Sequence, residues 1–273
     1  MTPLEHEQLA HALLPSILEA GAIEMRYYRS GVIIERKADA SPVTAADREA
    51  EAVLLTALAR IAPGVPVIAE EAVGRGALPE IADAFFLVDP LDGTREFINQ
   101  RNEFTVNVAL VCDGKPVFGI VFAPALGDLC VTLGPARAGH AHVAATPSAA
   151  GAADFVDIRT RRPDHDALVA VASLSHGAAE ADRFLAPYRV SHRRNAGSSL
   201  KFCLLARGEA DIYPRIGPTM EWDTAAGHAV LAAAGGSVTE LDGTPFVYGK
   251  AGKGFLNPGF VAWGTPEPFS SGS

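Results

Sequence analysis

Four acidic residues stand where rigid elements begin or end. Glu70 follows the apolar run Val65–Ala69, and Asp89 follows Ala84–Val88. Asp92 comes three residues after Asp89 in Asp89-Pro90-Leu91-Asp92-Gly93-Thr94, and Asp223 opens the helical stretch Asp223–Ala234. Strand ends and helix starts can hold a side chain at a fixed point. Clustered carboxylates repel one another and lose hydration on burial, so such a group needs compensation. A hard divalent cation supplies it, and Mg²⁺ takes oxygen ligands. In the hexamer the proline fixes φ and the glycine admits a tight turn. That geometry could aim both carboxylates and the Leu91 carbonyl at one point. Gly93 and Thr94 then offer backbone N–H groups at a helix start, which is an anion site. Metal carboxylates beside a phosphate cradle describe metal-assisted phosphoryl hydrolysis.

Each residue also has a plainer reading when taken alone. Asp-x-x-Asp-Gly occurs in ordinary surface turns. Asp223 could be a helix-start acid favoured by the dipole. Glu70-Glu71 could be a solvated loop, and Asp47 the fourth residue of a capping box begun by Thr44. Lys201 could lie on a solvated helix face, with Ser198 capping that helix. The joint pattern is what favours chemistry.

The elements that must position these residues are legible in outline. Thr2-Pro3-Leu4-Glu5 reads as a helix start with a capping box, and Leu9, Leu13, Ile17 and Gly21 share one face of that helix. Residues 30–36 read as a strand, and a helix runs over Ala46–Ile61 until Pro63-Gly64 ends it. Phe104–Val111 and Pro116–Phe122 flank Asp113-Gly114, a hairpin signal. Residues 134–153, rich in Ala and Gly without a clear period, read as a loop region. Further on, Val169–Ala172 and Ala210–Tyr213 read as strands. Ser198–Arg207 and Asp223–Ala234 read as helices, the second ended by Gly235-Gly236. Helices interleave with hairpin-linked and isolated strands, so a layered α/β or α+β arrangement fits better than a Rossmann sheet.

The 273 residues are 48% hydrophobic and 20% charged, ordinary usage for a folded chain. The formal charge of −9 excludes the overall basic footprint of a nucleic-acid binder. It does not exclude a small anionic substrate, because a bound divalent cation dominates the local field. Cys112, Cys130 and Cys203 are odd in number and lack CxxC spacing, so they read as small buried hydrophobes. No signal-peptide pattern and no apolar run of about 20 residues is present, so a cytoplasmic protein without a membrane span is expected. A peripheral inner-membrane association stays open.

The acidic blocks resemble those of the inositol monophosphatase-like superfamily of lithium-sensitive, Mg²⁺-dependent phosphatases. The likeness rests on Glu70-Glu71, on Asp89-Pro90-Leu91-Asp92-Gly93-Thr94-Arg95-Glu96-Phe97, and on Trp222-Asp223-Thr224-Ala225-Ala226-Gly227. Three further segments are most similar to bacterial 3′(2′),5′-bisphosphate nucleotidases: residues 37–47, residues 197–203 and residues 213–219. The resemblance implies a five-layered αβαβα sandwich. The expected unit is a single domain over residues 2–265, with a metal-binding lobe of about residues 2–150, a C-terminal lobe of about residues 154–265, and a disordered tail.

It further implies that Glu70, Asp89, Asp92, Asp223 and the Leu91 carbonyl hold two or three Mg²⁺ ions, with Asp89 bridging. Asp47 and Thr94 would orient the attacking water, with Glu70 counted beside them among the catalytic groups. The Gly93 and Thr94 amides would hold the scissile phosphate. Gly197, Ser198, Lys201, Arg215 and Asp223 would contact the rest of the substrate, and Arg193 and Arg194 are further cationic candidates. The expected reaction removes the 3′-phosphate of 3′-phosphoadenosine 5′-phosphate. An inositol or other sugar phosphatase is the alternative, although Tyr213-Pro214-Arg215 carries no carboxylate where inositol phosphatases place a glutamate. A non-enzymatic metal- or anion-binding protein is disfavoured, and a homodimer stays open. Leu174 stands in Ser173-Leu174-Ser175-His176 where the nucleotidases have arginine.

Overall fold

A computed structural model of the chain describes residues 1–30, 34–36, 42–145, 153–172 and 178–265. The Ser173–His176 segment, most of residues 37–47 before Pro42, and the tail after Thr265 lie outside the described residues. In chain order the elements are α1 (Pro3–Ser30), β1 (Ile34–Arg36), β2 (Pro42–Thr44), α2 (Ala45–Ile61), β3 (Val67–Ala69), α3 (Glu70–Gly74), β4 (Ala84–Asp92) and α4 (Thr94–Ile98). Then come β5 (Thr105–Cys112), β6 (Lys115–Ala123), β7 (Asp128–Gly134), β8 (Arg137–His142), β9 (Val156–Ile158), β10 (Leu168–Ala172), α5 (Ala178–Leu185) and β11 (Val190–Asn195). The chain continues through α6 (Leu200–Ala206), β12 (Ile212–Arg215), β13 (Thr219–Met220), α7 (Glu221–Ala233), β14 (Ser237–Glu240), β15 (Leu256–Asn257) and β16 (Phe260–Trp263).

Local chemistry starts these elements as the sequence reading expects. Glu5 N–H donates to Thr2 Oγ1 at 3.2 Å and Thr2 N–H to Glu5 Oε2 at 2.6 Å, the reciprocal capping box of α1. Asp113 and Gly114 both have positive φ and close the β5–β6 hairpin. Gly235, at φ +102°, ends α7.

Seven strands form one sheet in the order β3-β4-β5-β6-β7-β8-β9. The central run of β4 is buried on both faces, and its alternating side chains divide between two cores. Phe86 and Val88 pack with Leu13, Ile17 and Leu54 of α1 and α2, whereas Phe85 and Leu87 pack with Phe202, Ala226 and Val230 of α6 and α7. A second sheet, ordered β11-β10-β12-β16-β14, divides in the same way. Tyr213, Phe260 and Ala262 face α6 and α7, and Ile212, Val261 and Trp263 face Leu185 of α5. The result is five layers: α1/α2, the large sheet, α6/α7, the small sheet and α5. The αβαβα sandwich is therefore the observed fold.

Gly119 sets one of these layers. A Cβ there would lie 2.2 Å from the Ala226 carbonyl oxygen, so α7 rests directly on the β6 backbone. Residues 137–142 differ from the loop expected over 134–153, of which 146–152 lie outside the described residues. Residues 137–142 form β8, paired antiparallel with β7 from Asp128↔His142 to Gly134↔Arg137. Ala138 and Ala141 are buried, but their small side chains give almost no apolar period to read.

Candidate active site

The site is built from element ends. β3 runs in parallel beside β4 and delivers Glu70 as the first residue of α3. The buried Glu51 of α2 fixes this start: its Oε2 accepts the Glu71 and Ala72 amides at 2.8 and 3.2 Å, and its Oε1 accepts Arg75 at 2.8 Å. Glu70-Glu71 is therefore a helix start, and the solvated-loop alternative falls.

Asp89 and Asp92 owe their common direction to a bulge. In β4–β5 pairing, Asp89 faces Asn107 and Asp92 faces Thr105, so three steps on one strand match two on the other. Residues three apart on a regular strand point to opposite faces, and one extra residue restores the same face. Pro90, which cannot donate to a ladder, sits in that bulge. The Leu91 amide closes the turn onto Asp89 Oδ1 at 3.0 Å. Gly93, at φ +92°, then leads into α4, as the hexamer predicts. Asp223 is the third residue of α7, and its Oδ2 accepts the Met220 amide at 2.8 Å. The dipole-favoured helix acid and the site carboxylate are thus the same residue. Glu221 holds this helix start to the following loop through the Gly249 and Lys250 amides, each at 2.8 Å.

A cavity of about 330 Å³ opens among these ends, lined by Glu70, Asp92, Gly93, Thr94, Arg95, Glu96, Gly197, Ser198, Lys201, Arg215 and Asp223, with Tyr213 and Trp222 as aromatic wall. Asp89, 1% exposed, lies behind the wall. Burial holds its carboxyl well above the usual range, and Glu70, Asp92 and Asp223 add to the effect. Asp223 is pushed up by burial and by the Asp92 and Glu70 charges. Asp92 is raised by burial, against the pull of the Ser198 hydroxyl and Lys201. Four carboxyls separated by up to 153 positions in sequence thus act on one another.

Among the described residues, no three acidic, histidine or cysteine side chains are drawn together closely enough to hold a metal ion as they stand. Burial and the neighbouring Glu70 disfavour the Asp89 anion. A cation relieves such repulsion, and four anionic oxygen donors are the set that a hard divalent ion takes.

Asp47 is 3% exposed in the first turn of α2 and does not line the cavity. Its charge acts on Glu24, a buried carboxyl of α1. The Thr44 side chain of the expected capping box lies outside the described residues. Thr94 Oγ1 donates to the Leu91 carbonyl at 3.3 Å. Ser198 does not cap α6: its φ is +53°, and its hydroxyl turns to Asp92 Oδ2 at 2.5 Å. Ser199 is the residue at the cap, and its hydroxyl reaches the Asp223 carbonyl at 2.7 Å.

Lys201 is 5% exposed, so the solvated-face alternative also falls. Its Nζ donates to the Ser198 carbonyl at 2.5 Å and lies 5.4 Å from the Tyr213 ring centroid. Burial brings its pKa down to about 8, with Asp92 acting the other way. Arg215 enters the cavity, bonded to the Gly217 and Pro218 carbonyls at 3.3 Å. Arg193 and Arg194 do not line it; they pair with Asp182 and Glu209.

Sequence reasoning missed Glu51, Ser199, Glu221 and Asn107. Asn107 Nδ2 reaches Asp92 Oδ2 at 3.4 Å and Ser199 Oγ at 3.1 Å. One signal was available for it, a lone amide inside the apolar run Phe104–Val111. The three others act through backbone groups remote in sequence, which no local pattern encodes.

Comparison with known proteins agrees with this architecture. The model of the inositol monophosphatase family matches residues 5–260. The chain belongs to the inositol monophosphatase family. A 3′(2′),5′-bisphosphate nucleotidase CysQ of Shigella flexneri is 43% identical over 224 residues, 82% of this chain and 86% of the relative. The crystal structure of CysQ from Bacteroides thetaiotaomicron, 35% identical, superposes with a TM-score of 0.78 over 97% of this chain and all of that one. An inositol monophosphatase from Anabaena, 24% identical, shares the fold with a TM-score of 0.72 over 94% of this chain and 91% of its own.

Proposed function

We propose that this member of the family is a 3′(2′),5′-bisphosphate nucleotidase that removes the 3′-phosphate of 3′-phosphoadenosine 5′-phosphate. The observation that carries this reading is one cavity with two kinds of wall. Carboxylates and the Gly93-Thr94 turn line it together with the cationic Lys201 and Arg215. A bisphosphate offers Lys201 and Arg215 a second anion, and an inositol monophosphate does not. The names of the relatives support the same substrate class.

In this reading Glu70, Asp89, Asp92, Asp223 and the Leu91 carbonyl hold two or three Mg²⁺ ions. When bound, the ions acidify a water and stabilise the leaving oxygen. The Gly93 and Thr94 amides hold the scissile phosphate in place. Thr94 and Glu70, which line the cavity, flank the water; Asp47, which does not line it, is assigned to orient the water with Thr94 on the family likeness. Gly197, Ser198, Lys201 and Arg215 receive the second phosphate, and Asp223 contacts the sugar. Residues 2–265 act as one domain of two lobes. Their packing through the shared α6/α7 layer supports that unit. We place the protein in the cytoplasm, consistent with the absence, among the described residues, of any helix long and apolar enough to cross a membrane. A homodimer is the assembly we propose, to be checked by sedimentation.

The deciding experiment is phosphate release from 3′-phosphoadenosine 5′-phosphate and from inositol phosphate, each with and without Mg²⁺. Mg²⁺-dependent preference for the bisphosphonucleotide is expected; preference for inositol phosphate would replace this reading with the sugar-phosphatase one. Li⁺ is expected to inhibit in the presence of Mg²⁺.

A further inference from the structure

Glu103 lies between α4 and β5, outside every motif that identifies the site, yet both phosphate-facing turns close on it. A Cβ on Gly93 would lie 3.2 Å from the Glu103 carbonyl oxygen. A Cβ on Gly197 would lie 2.5 Å from that same oxygen and 2.9 Å from Glu103 Cβ. The Glu103 backbone is therefore the wall against which Asp92-Gly93-Thr94 and Gly197-Ser198-Ser199 are both set. Its side chain adds a specific bond: Oε2 accepts the Gly197 amide at 3.0 Å, across 94 residues of sequence.

What that bond holds is a loop under strain. Ser198 has φ +53°, a region that L-residues seldom adopt, so the loop needs support from outside itself. In this conformation the Ser198 hydroxyl donates to Asp92 Oδ2 at 2.5 Å and also meets the Thr105 hydroxyl. Lys201 fixes the other end of the residue through the Ser198 carbonyl. A path of direct bonds thus runs from the Glu103 carboxylate through Gly197 and Ser198 to one oxygen of Asp92.

We propose that Glu103 is a positioning residue that holds the Gly197 turn in register with the Asp92-Gly93-Thr94 turn, and through Ser198 sets the direction of the Asp92 carboxylate. The proposal rests on the reading of Asp92 as a metal ligand. Glu103 acts through the backbone and touches no reacting atom. Its charge acts on Lys201; what it supplies to the Asp92 carboxylate is geometry. A neutral side chain of equal length should therefore serve, and a charged one that is too short should not.

The test compares Glu103→Gln with Glu103→Asp in the full chain. Both are conservative, and thermal melts check that both fold. Cation binding is read first, by calorimetric titration with Mg²⁺ and Mn²⁺ in the absence of substrate. Kinetics on the bisphosphonucleotide follow. Glu103→Asp is expected to weaken cation binding about fivefold and to lower kcat about tenfold with a smaller change in KM, since displacement by a fraction of an ångström at a site is costly. Glu103→Gln is expected to stay within about twofold of the wild type in both. Equal impairment of both variants would make charge the cause and overturn the proposal. A Glu103→Asp variant that melts lower but binds cation and turns over like wild type would reduce Glu103 to a structural role and also overturn it. The substrate reading fails separately, in the wild type, if another ester is preferred; the calorimetric comparison then still stands. A wild type that binds neither cation would remove both the metal reading and this one.

Discussion

Asp89 and Lys201 show how burial changes what a charged residue does. Asp89 is almost fully buried among three other carboxyls, and each of these conditions disfavours its anion. Asp89→Asn removes a proposed ligand charge while keeping shape. It is expected to reduce turnover on the order of 10³-fold or more while leaving the melting temperature unchanged or raised, as the carboxyl repulsion is relieved. Steady-state rates and a thermal melt on the same preparation check both parts. Lys201, with a pKa brought down to about 8, carries its charge below that pH and loses it above. The pH dependence of kcat/KM reports the free enzyme. It is expected to decline above about pH 8 in the wild type, because the cation proposed to face the second phosphate is then neutral. In Lys201→Met, kcat/KM should start lower and lose that decline.

At the scale of elements, the site depends on how strands end and how closely helices approach them. The one-residue bulge at Pro90-Leu91 puts Asp89 and Asp92 on one face. Direct contact between the β6 backbone and α7 brings Asp223 to them from the opposite layer. Gly119→Ala introduces a Cβ 2.2 Å from the Ala226 carbonyl oxygen, and backbone cannot give way as a side chain end can. The variant is expected to lose about 3 kcal/mol of stability, a fall in Tm of roughly 5 °C. Its kcat should also drop, since α7 would lift away with Asp223. Differential scanning fluorimetry and rate measurements test the two together. A variant that melts like wild type would show that the layers are less tightly fixed than this spacing indicates.

On the scale of the whole molecule, five layers bring together groups carried by β4, α3, α6, β12 and α7. The central helical layer α6/α7 is shared by both sheets, so site assembly and global folding are one event. Ligands that bind only the assembled site should therefore stabilise the entire fold. Mg²⁺ at 100 times its dissociation constant is expected to add about 2.7 kcal/mol. The corresponding upward shift in Tm should be absent from Asp89→Asn. A melt of each protein with and without Mg²⁺ measures it, and equal shifts in both would dissociate the cation from these carboxylates.

The sequence alone determined the residue types, the order of the acidic blocks and most of the elements that carry them. The capping box at Thr2, the Asp113-Gly114 hairpin and the Gly235 stop are local, fixed by neighbouring dihedrals and hydrogen bonds, and so could be read directly. The family likeness carried the layer order. Only the tertiary structure decided that β8 exists where Ala and Gly hide its period. It also decided that Ser198 turns from the α6 cap to Asp92, that Lys201 is buried, and that Glu51, Glu103 and Glu221 hold the site turns from outside the motifs. The reason is physical. A carboxylate accepting a backbone amide 94 residues away leaves no trace in spacing, because any segment can offer an amide and only the packed layers choose which one.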